Sequence, residues 1–424
     1  MIMARERYSI ASSEPNEGCL ARTVRRQGER TFFGVQHDVS RGAMKKPEDA
    51  HPMNRRDFLK AGMAGAAAAS IGLSGMGSLL YAQAPTAPVF RTLGRTGLKV
   101  TAVSYGTMLT PESEVIRAGI DMGVNYLDTA RVYLKGRSEE IVSKAIKGIR
   151  DKVYISTKSH ADSPEGLMSD VETSLGELQT DHVEVIHLHN LDNPSRAFRP
   201  EMREALLTLR KQGKVRFFGV STHTNQADVI NGVANDPDKF FDVVLVAYNF
   251  KMDPSVKTAI ANAAKAGIGV VAMKTQAGGY ETDTMGQISP HQAALKWVLQ
   301  DTNVACAIPG MKTLDHLREL VPVMGMKMTG KDERLLRRYS EAITPYYCTL
   351  CGECEKTCPK GVEISVVNRA LMYADGYREP VLARETFREA SSASLCATCP
   401  ECVAQCRNGL SIAGKMRRAR SLFA

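Results

Sequence analysis

The sequence predicts an α/β fold: a closed, parallel (β/α)8 barrel of the TIM type followed by a small α-helical, cysteine-rich domain. Between Pro88 and about Lys331, short runs rich in Val and Ile alternate with amphipathic helical stretches eight times over. Strict strand–helix alternation of that length closes into a barrel rather than an open sheet. Beyond it, eight of the ten cysteines fall into two runs of one spacing. The chain divides accordingly: an upstream extension (1–52), a signal-like segment (53–87), the barrel (88–330) and the cysteine domain (331–424).

Residues 1–52 mix Arg, Glu, Ser and Gly without apolar periodicity. They read as disordered, or as the product of a start codon placed too early, with Met53 the true start. Next comes Asn54-Arg55-Arg56-Asp57-Phe58-Leu59-Lys60, ahead of an uncharged stretch from Ala61 to Phe90. Paired arginines before a weakly apolar, Ala/Gly-rich segment resemble a twin-arginine export signal, an address read by the translocation machinery. A transmembrane anchor is the alternative, weakened by Gly62, Gly65, Gly72, Gly75 and Gly77, which dilute the run. Ala82-Gln83-Ala84 has the small-x-small form of a cleavage site, but Pro85 would be the first mature residue. The cut is therefore shifted, or absent and the signal retained.

The strand candidates are 100–106, 125–130, 153–157, 183–189, 215–221, 241–248, 269–274 and 304–309. Helical patterns such as 138–147, 164–178, 201–211 and 291–299 separate them. A doubly wound fold would carry a Gly-rich phosphate turn after its first strand. Here that place holds Thr107-Met108-Leu109-Thr110.

Polar residues at the strand ends converge on the C-terminal mouth of such a barrel, where its chemistry belongs. Asp128 closes the second strand, Tyr133 follows in the next loop, Lys158 closes the third and His189 the fourth. Together with Gly123-Val124-Asn125-Tyr126-Leu127, Ser138-Glu139, Ile155-Ser156-Thr157, Ile186-His187-Leu188 and Gly219-Val220-Ser221, these residues resemble an aldo-keto reductase over about 88–330. The opening Phe90-Arg91-Thr92-Leu93-Gly94-Arg95-Thr96-Gly97-Leu98 is similar to that family's entry hairpin. The chemistry can also be stated from the side chains. Hydride reduction of a carbonyl leaves an alkoxide to be protonated, and a tyrosine of ordinary pKa, about 10, is a sluggish acid near neutrality. A neighbouring ammonium lowers that pKa and a carboxylate holds the ammonium in place. Tyr133 is thus the acid, Lys158 its tuner and Asp128 the anchor, with His189 donating to the substrate oxygen. His187, two residues earlier on the same strand face, is a rival for the last role.

The resemblance implies NADP(H) or NAD(H) as hydride carrier, NADP(H) weakly preferred, and a small carbonyl or alcohol substrate. Ser221 stands where the family binds the nicotinamide carboxamide; Thr222 replaces the usual Asn, and Leu245 a glutamine. At the phosphate and adenine end, Pro309, Gly310, Lys312 and Thr313 keep the family shape. His316 lies where an arginine would grip a 2′-phosphate, with Lys312 or Arg318 as substitutes, and Leu320 where an asparagine would meet adenine. Lys274-Thr275 is a pyrophosphate contact or a solvated loop start.

The cysteine runs, Cys348, Cys351, Cys354, Cys358 and Cys396, Cys399, Cys402, Cys406, each read C-x2-C-x2-C-x3-C. This spacing suits two [4Fe–4S] clusters, the alternatives being a disulfide framework or zinc. It resembles a two-cluster ferredoxin, which implies exchanged fourth ligands: Cys348, Cys351, Cys354 and Cys406 on one cluster, Cys396, Cys399, Cys402 and Cys358 on the other. Pro359 follows the first run, but Arg407 stands where the second would have proline, and the long intervening stretch points to a helical ferredoxin-like module. Cys306 reads as a buried small hydrophobe and Cys19 belongs to neither run.

The net charge of +9 is dispersed and lacks interleaved aromatics, which excludes a nucleic-acid partner. A basic face suits an acidic redox partner or a membrane surface. Two functions remain: an exported oxidoreductase coupling nicotinamide-linked carbonyl chemistry to the clusters, or an electron-transfer or docking protein whose barrel no longer uses pyridine nucleotide.

Overall fold

A computed structural model describes residues 87–280, 289–391, 396, 399 and 401–423. The readings made for the extension, the twin-arginine pair and the cleavage site lie outside the described residues. Eight parallel strands run in sequence order: β1 (Tyr105–Gly106), β2 (Tyr126–Asp128), β3 (Tyr154–Ser159), β4 (Val183–Leu188), β5 (Val215–Thr222), β6 (Val243–Ala247), β7 (Gly269–Met273) and β8 (Cys306–Ala307). Parallel bridges Val103–Ala307 and Gly106–Gly310 join the last strand to the first. Gly106 sits at this seam, where a Cβ would come 2.8 Å from the Ile308 carbonyl oxygen.

The barrel interior below the mouth is filled by Tyr126, Val185, Leu245, Val271 and Cys306. An antiparallel hairpin, Phe90–Thr92 with Lys99–Thr101, plugs the other end and places Leu93 against this cluster. Its Gly94 (φ +50°) leaves only 2.2 Å between a would-be Cβ and the Gly269 nitrogen, so glycine is required there. Truncating the fully buried Leu93 to Ala would cost about 2–5 kcal/mol. The stretch 100–106, expected as one strand, is two elements, because the Ser104 hydroxyl turns back to the Thr101 carbonyl at 2.7 Å.

The outer helices are α1 (Ser113–Asp121), α2 (Ser138–Ile146), α3 (Pro164–Leu178), α4 (Pro200–Lys211), α5 (Gln226–Ala234), α6 (Pro254–Lys265), α7 (Pro290–Leu299) and α8 (Leu314–Leu320). Four of them open on Pro, whose fixed φ and missing N–H suit a first turn. Beyond the barrel come α9 (Gly330–Ile343), α10 (Glu353–Lys356), α11 (Ile364–Asp375), α12 (Pro380–Glu389) and α13 (Ile412–Phe423). Helix α9 starts from a capping box between Thr329 and Asp332, and Lys296 of α7 donates to Asp332 at 2.9 Å. The cysteine segment packs with the barrel as one compact unit. Arg407, which replaces the expected proline, pairs with Asp253 at the start of α6, 3.0 Å away. Among the described residues no helix is long and apolar enough to cross a membrane.

Candidate active site

The Val/Ile strands deliver the four singled-out polar side chains to one mouth. Lys158, fully buried on β3, donates from Nζ to Asp128 Oδ2 and to the Thr129 carbonyl, both at 2.6 Å. Ser156 donates to the other Asp128 oxygen at 2.7 Å, so the carboxylate is held on both sides. The Lys158 ammonium lies 4.6 Å from the Tyr133 ring centroid, and the His189 ring meets Tyr133 edge-on at 6.1 Å. His160 stacks on His189 at 4.0 Å. Tyr133 opens a short turn whose Leu134 and Lys135 both have positive φ, and Arg131, just before it, is clamped by Glu139 and Glu177. His187 sits deeper, its ring only 2.3 Å from where a Gly219 Cβ would be. Position therefore favours His189 over its rival.

The electrostatics depart from expectation in one respect. Burial, then Asp128, pushes the Tyr133 phenol well above its ordinary range, and Arg369 is the cation that pulls it down. Lys158 meets the ring by its face because its ammonium is committed to Asp128 and Thr129. Burial lowers the Lys158 pKa, opposed by Asp128. Burial, followed by His160 and Lys158, drives His189 well below the usual histidine range, so it acts as a neutral hydrogen-bonding group.

A cleft of about 240 Å³ runs from Asp128 and Tyr133 past Lys274, Thr275, Pro309, Gly310, Lys312 and His316 to Glu319 and Leu320. It thus gathers most of the residues that the sequence assigned to a nucleotide. Lys274 adopts a strained left-handed backbone (φ +56°), and the buried Thr275 hydroxyl beside it has no partner. Ser221 accepts the Asn190 N–H at 2.9 Å, and Thr222 gives its proton to the Thr224 carbonyl at 2.8 Å. Thr313 caps α8 by accepting the His316 N–H at 3.2 Å, while His316 Nδ1 accepts the Lys312 N–H, also at 3.2 Å. Ser221, Thr222 and Thr313 are not among the residues lining the cleft. Leu245 is sealed in the barrel core.

The cysteine segment forms the cleft's other wall, which the barrel motifs could not reveal. Lys274 Nζ donates to the Tyr373 hydroxyl at 2.8 Å and lies over the Tyr373 and Tyr377 rings, 4.6 and 5.4 Å from their centroids. Lys312 pairs with Glu379 at 2.6 Å. Gly376, Tyr377 and Arg378 line the opening.

The eight thiols separate into two groups of four. Cys348 is raised by burial and then by Cys354, Cys351 and Cys406; Cys396 by burial and then by Cys358, Cys399 and Cys402. The second group surrounds a cavity of about 330 Å³ into which Arg417 and Arg420 also face. These are the sets expected from exchanged fourth ligands. Among the described residues no three His, Cys, Asp or Glu converge on one ion position. The second set, four thiols around a cavity, suits a cubane, which takes one thiolate per iron.

The chain matches the Aldo/keto reductase family over residues 106–287, the 4Fe-4S dicluster domain over 347–410 and the twin-arginine translocation pathway signal sequence over 52–72. These three matches fall on the stretches in which the motifs were read: the barrel, the cysteine domain and the signal-like segment. Relatives include Aldo-keto reductase YhdN of Bacillus subtilis, 34% identical over 34% of this chain and 50% of that protein. L-galactose dehydrogenase of Arabidopsis thaliana is 25% identical over 60% of this chain and 94% of its own length. The chain spans about half the length of YhdN and of the oxidoreductase YqkF of the same organism. Among solved structures, an aldo-keto reductase of Klebsiella pneumoniae in complex with NADPH aligns with TM-score 0.51 and 25% identity, over 60% of this chain and 95% of that one.

Proposed function

We propose that the protein is an exported oxidoreductase that interconverts a small carbonyl compound and its alcohol at Tyr133, with a pyridine nucleotide in the adjoining cleft and two [4Fe–4S] clusters in the C-terminal domain. The observation that carries this reading is the assembled Asp128–Lys158–Tyr133–His189 mouth. A reduced nicotinamide bound in that cleft would supply the hydride for the carbonyl carbon. Tyr133 delivers the proton to the oxygen, and the neutral His189 donates a hydrogen bond that orients the carbonyl. Lys158, fixed by Asp128, keeps a positive charge against the Tyr133 ring face. The nucleotide would be held by Lys274 and the unpartnered Thr275 hydroxyl at the pyrophosphate, and by Gly310 and Lys312 toward the adenosine end. The complex of the Klebsiella relative with NADPH supports a nucleotide of this class. Eight thiols in two sets of four would hold two clusters, which would supply single-electron exchange with a redox partner.

A second reading has its own support. Tyr373 and Glu379 already engage Lys274 and Lys312, and the cleft is smaller than the ~300–1,000 Å³ of ordinary ligand pockets. On that reading the barrel takes electrons from the clusters and no nucleotide binds. Titrating anaerobically purified protein with NADPH and NADH and following nucleotide fluorescence separates the two. Saturable binding supports the first reading, and its absence at millimolar nucleotide supports the second.

A further inference from the structure

Helix α11 belongs to the cysteine segment, yet it spans the barrel mouth. Arg369 and Tyr373 stand four residues apart and so on one helix face. Tyr373 reaches Lys274 at the end of β7, whereas Arg369 Nη1 donates at 3.2 Å to Asn190 Oδ1, on the residue directly after His189. The helix is locked there: a Cβ on Gly376 would lie 2.3 Å from the Gly278 carbonyl oxygen. Arg369 is only 5% exposed. Its Nη2 donates to Glu389, whose side chain is half-exposed, and its Nε is buried without a partner. A buried guanidinium edge with a free donor is costly to leave unpaired. Two imidazoles lie near it as well: His189 and His223 each carry a buried Nδ1 without a partner, and burial depresses the basicity of both, Arg369 adding to the effect.

We infer that Arg369, supplied by the iron–sulfur domain, binds a carboxylate on the substrate and so makes carbonyl compounds that bear an acid group the preferred class. The inference rests on the proposed carbonyl chemistry at Tyr133. A guanidinium offers paired N–H donors to a carboxylate, and such charge-assisted bonds are about twice as strong as neutral ones. The acid group would lie on the Arg369 side of the mouth with the carbonyl toward Tyr133 and His189, while Glu389 turns outward to water. The barrel alone would lack this contact, so the C-terminal domain would select the substrate as well as carry the clusters.

The test compares kcat/KM for 4-carboxybenzaldehyde and for its methyl ester within each of three proteins: wild type, Arg369→Met and Arg369→Lys. The wild type should prefer the acid at least tenfold, less so as salt is raised. Arg369→Met should bring the ratio near one, and Arg369→Lys should keep part of it. Because the ratio is taken within one protein, partial loss of folded enzyme does not alter it. A wild-type ratio near one, or a ratio that survives Arg369→Met, overturns the inference. Calorimetric binding of 4-carboxybenzyl alcohol and benzyl alcohol to the intact protein gives a second readout that needs no turnover. Tighter binding of the acid, lost in Arg369→Met, upholds the subsite even if no aldehyde is reduced and the carbonyl chemistry fails. Equal binding of the two alcohols by wild type overturns the subsite.

Discussion

The Lys274 ammonium donates to the Tyr373 hydroxyl at 2.8 Å, tying the end of the seventh barrel strand to a helix of the cysteine domain. Lys312 and Glu379 repeat the pattern farther along the cleft. Two cations that a nucleotide would use are thereby held by the neighbouring domain. Nucleotide entry must displace or share both contacts.

Glu379→Gln should therefore raise affinity for NADPH several-fold, more than for NADH, because it frees Lys312 for a 2′-phosphate. The gain is bounded by the modest worth of a partly exposed ion pair, about 0.2–1 kcal/mol. Fluorescence titration of both nucleotides checks it. Unchanged or weaker NADPH binding would show that the pair does not compete with the nucleotide.

The pH dependence follows from the raised Tyr133 phenol. A general acid is active while protonated, and a raised pKa moves the loss of the proton to higher pH. Carbonyl reduction should thus show no alkaline decline below about pH 10, the ordinary tyrosine value. A decline centred near pH 8 that disappears in Tyr133→Phe would instead mean that Lys158 lowers the phenol in the working complex.

Replacing Cys351 or Cys399 by Ser removes one thiolate from each proposed set, and the exchanged fourth ligands, Cys406 and Cys358, link the two. Either variant should lose the brown absorbance of one cluster or both. Iron and sulfide analysis gives the count; zinc in place of iron, or full iron content in both variants, would contradict the assignment.

Changing Arg55 and Arg56 to Lys should retain the protein in the cytoplasm with its iron intact, since the pathway reads guanidinium groups rather than charge alone. Deleting residues 1–52 should leave export unchanged. Fractionation and blotting measure both; normal export of the double-Lys variant would remove the twin-arginine route.

The periodic and chemical parts of this molecule were legible in sequence. The helix 164–178 was placed to the residue, because Ser163 caps it and Pro164 opens it. Asp128, Tyr133, Lys158 and His189 could be found because strand ends in a barrel share one mouth. The two cysteine runs stand out by their repeated spacing, and their division into sets of four is what the resemblance to a two-cluster ferredoxin implies. The cleft's second wall was not legible. Nothing in the pattern around Arg369, Tyr373 or Glu379 says that a helix beyond the barrel returns across it, since that depends on packing such as Gly376 against Gly278. Glu319 also lines the cleft, and nothing in the helical pattern around it sets it apart. The direction of the Tyr133 shift was not legible either, because it follows from burial and Asp128, while the Lys158 ammonium lies over the ring face.

The central claim, that the barrel mouth reduces carbonyls through Tyr133, is tested most directly by comparing wild type with Tyr133→Phe on a panel of aldehydes and ketones under anaerobic conditions. Electrons are supplied either by NADPH or by a reduced low-potential dye that feeds the clusters. NADPH should drive reduction in the wild type, and Tyr133→Phe should lower it by about 10²–10⁴, the range of general acid catalysis, with nucleotide affinity little changed. Lys158→Met should overlap with that loss in the double variant rather than multiply it. Equal activity of wild type and Tyr133→Phe with both donors would contradict the account.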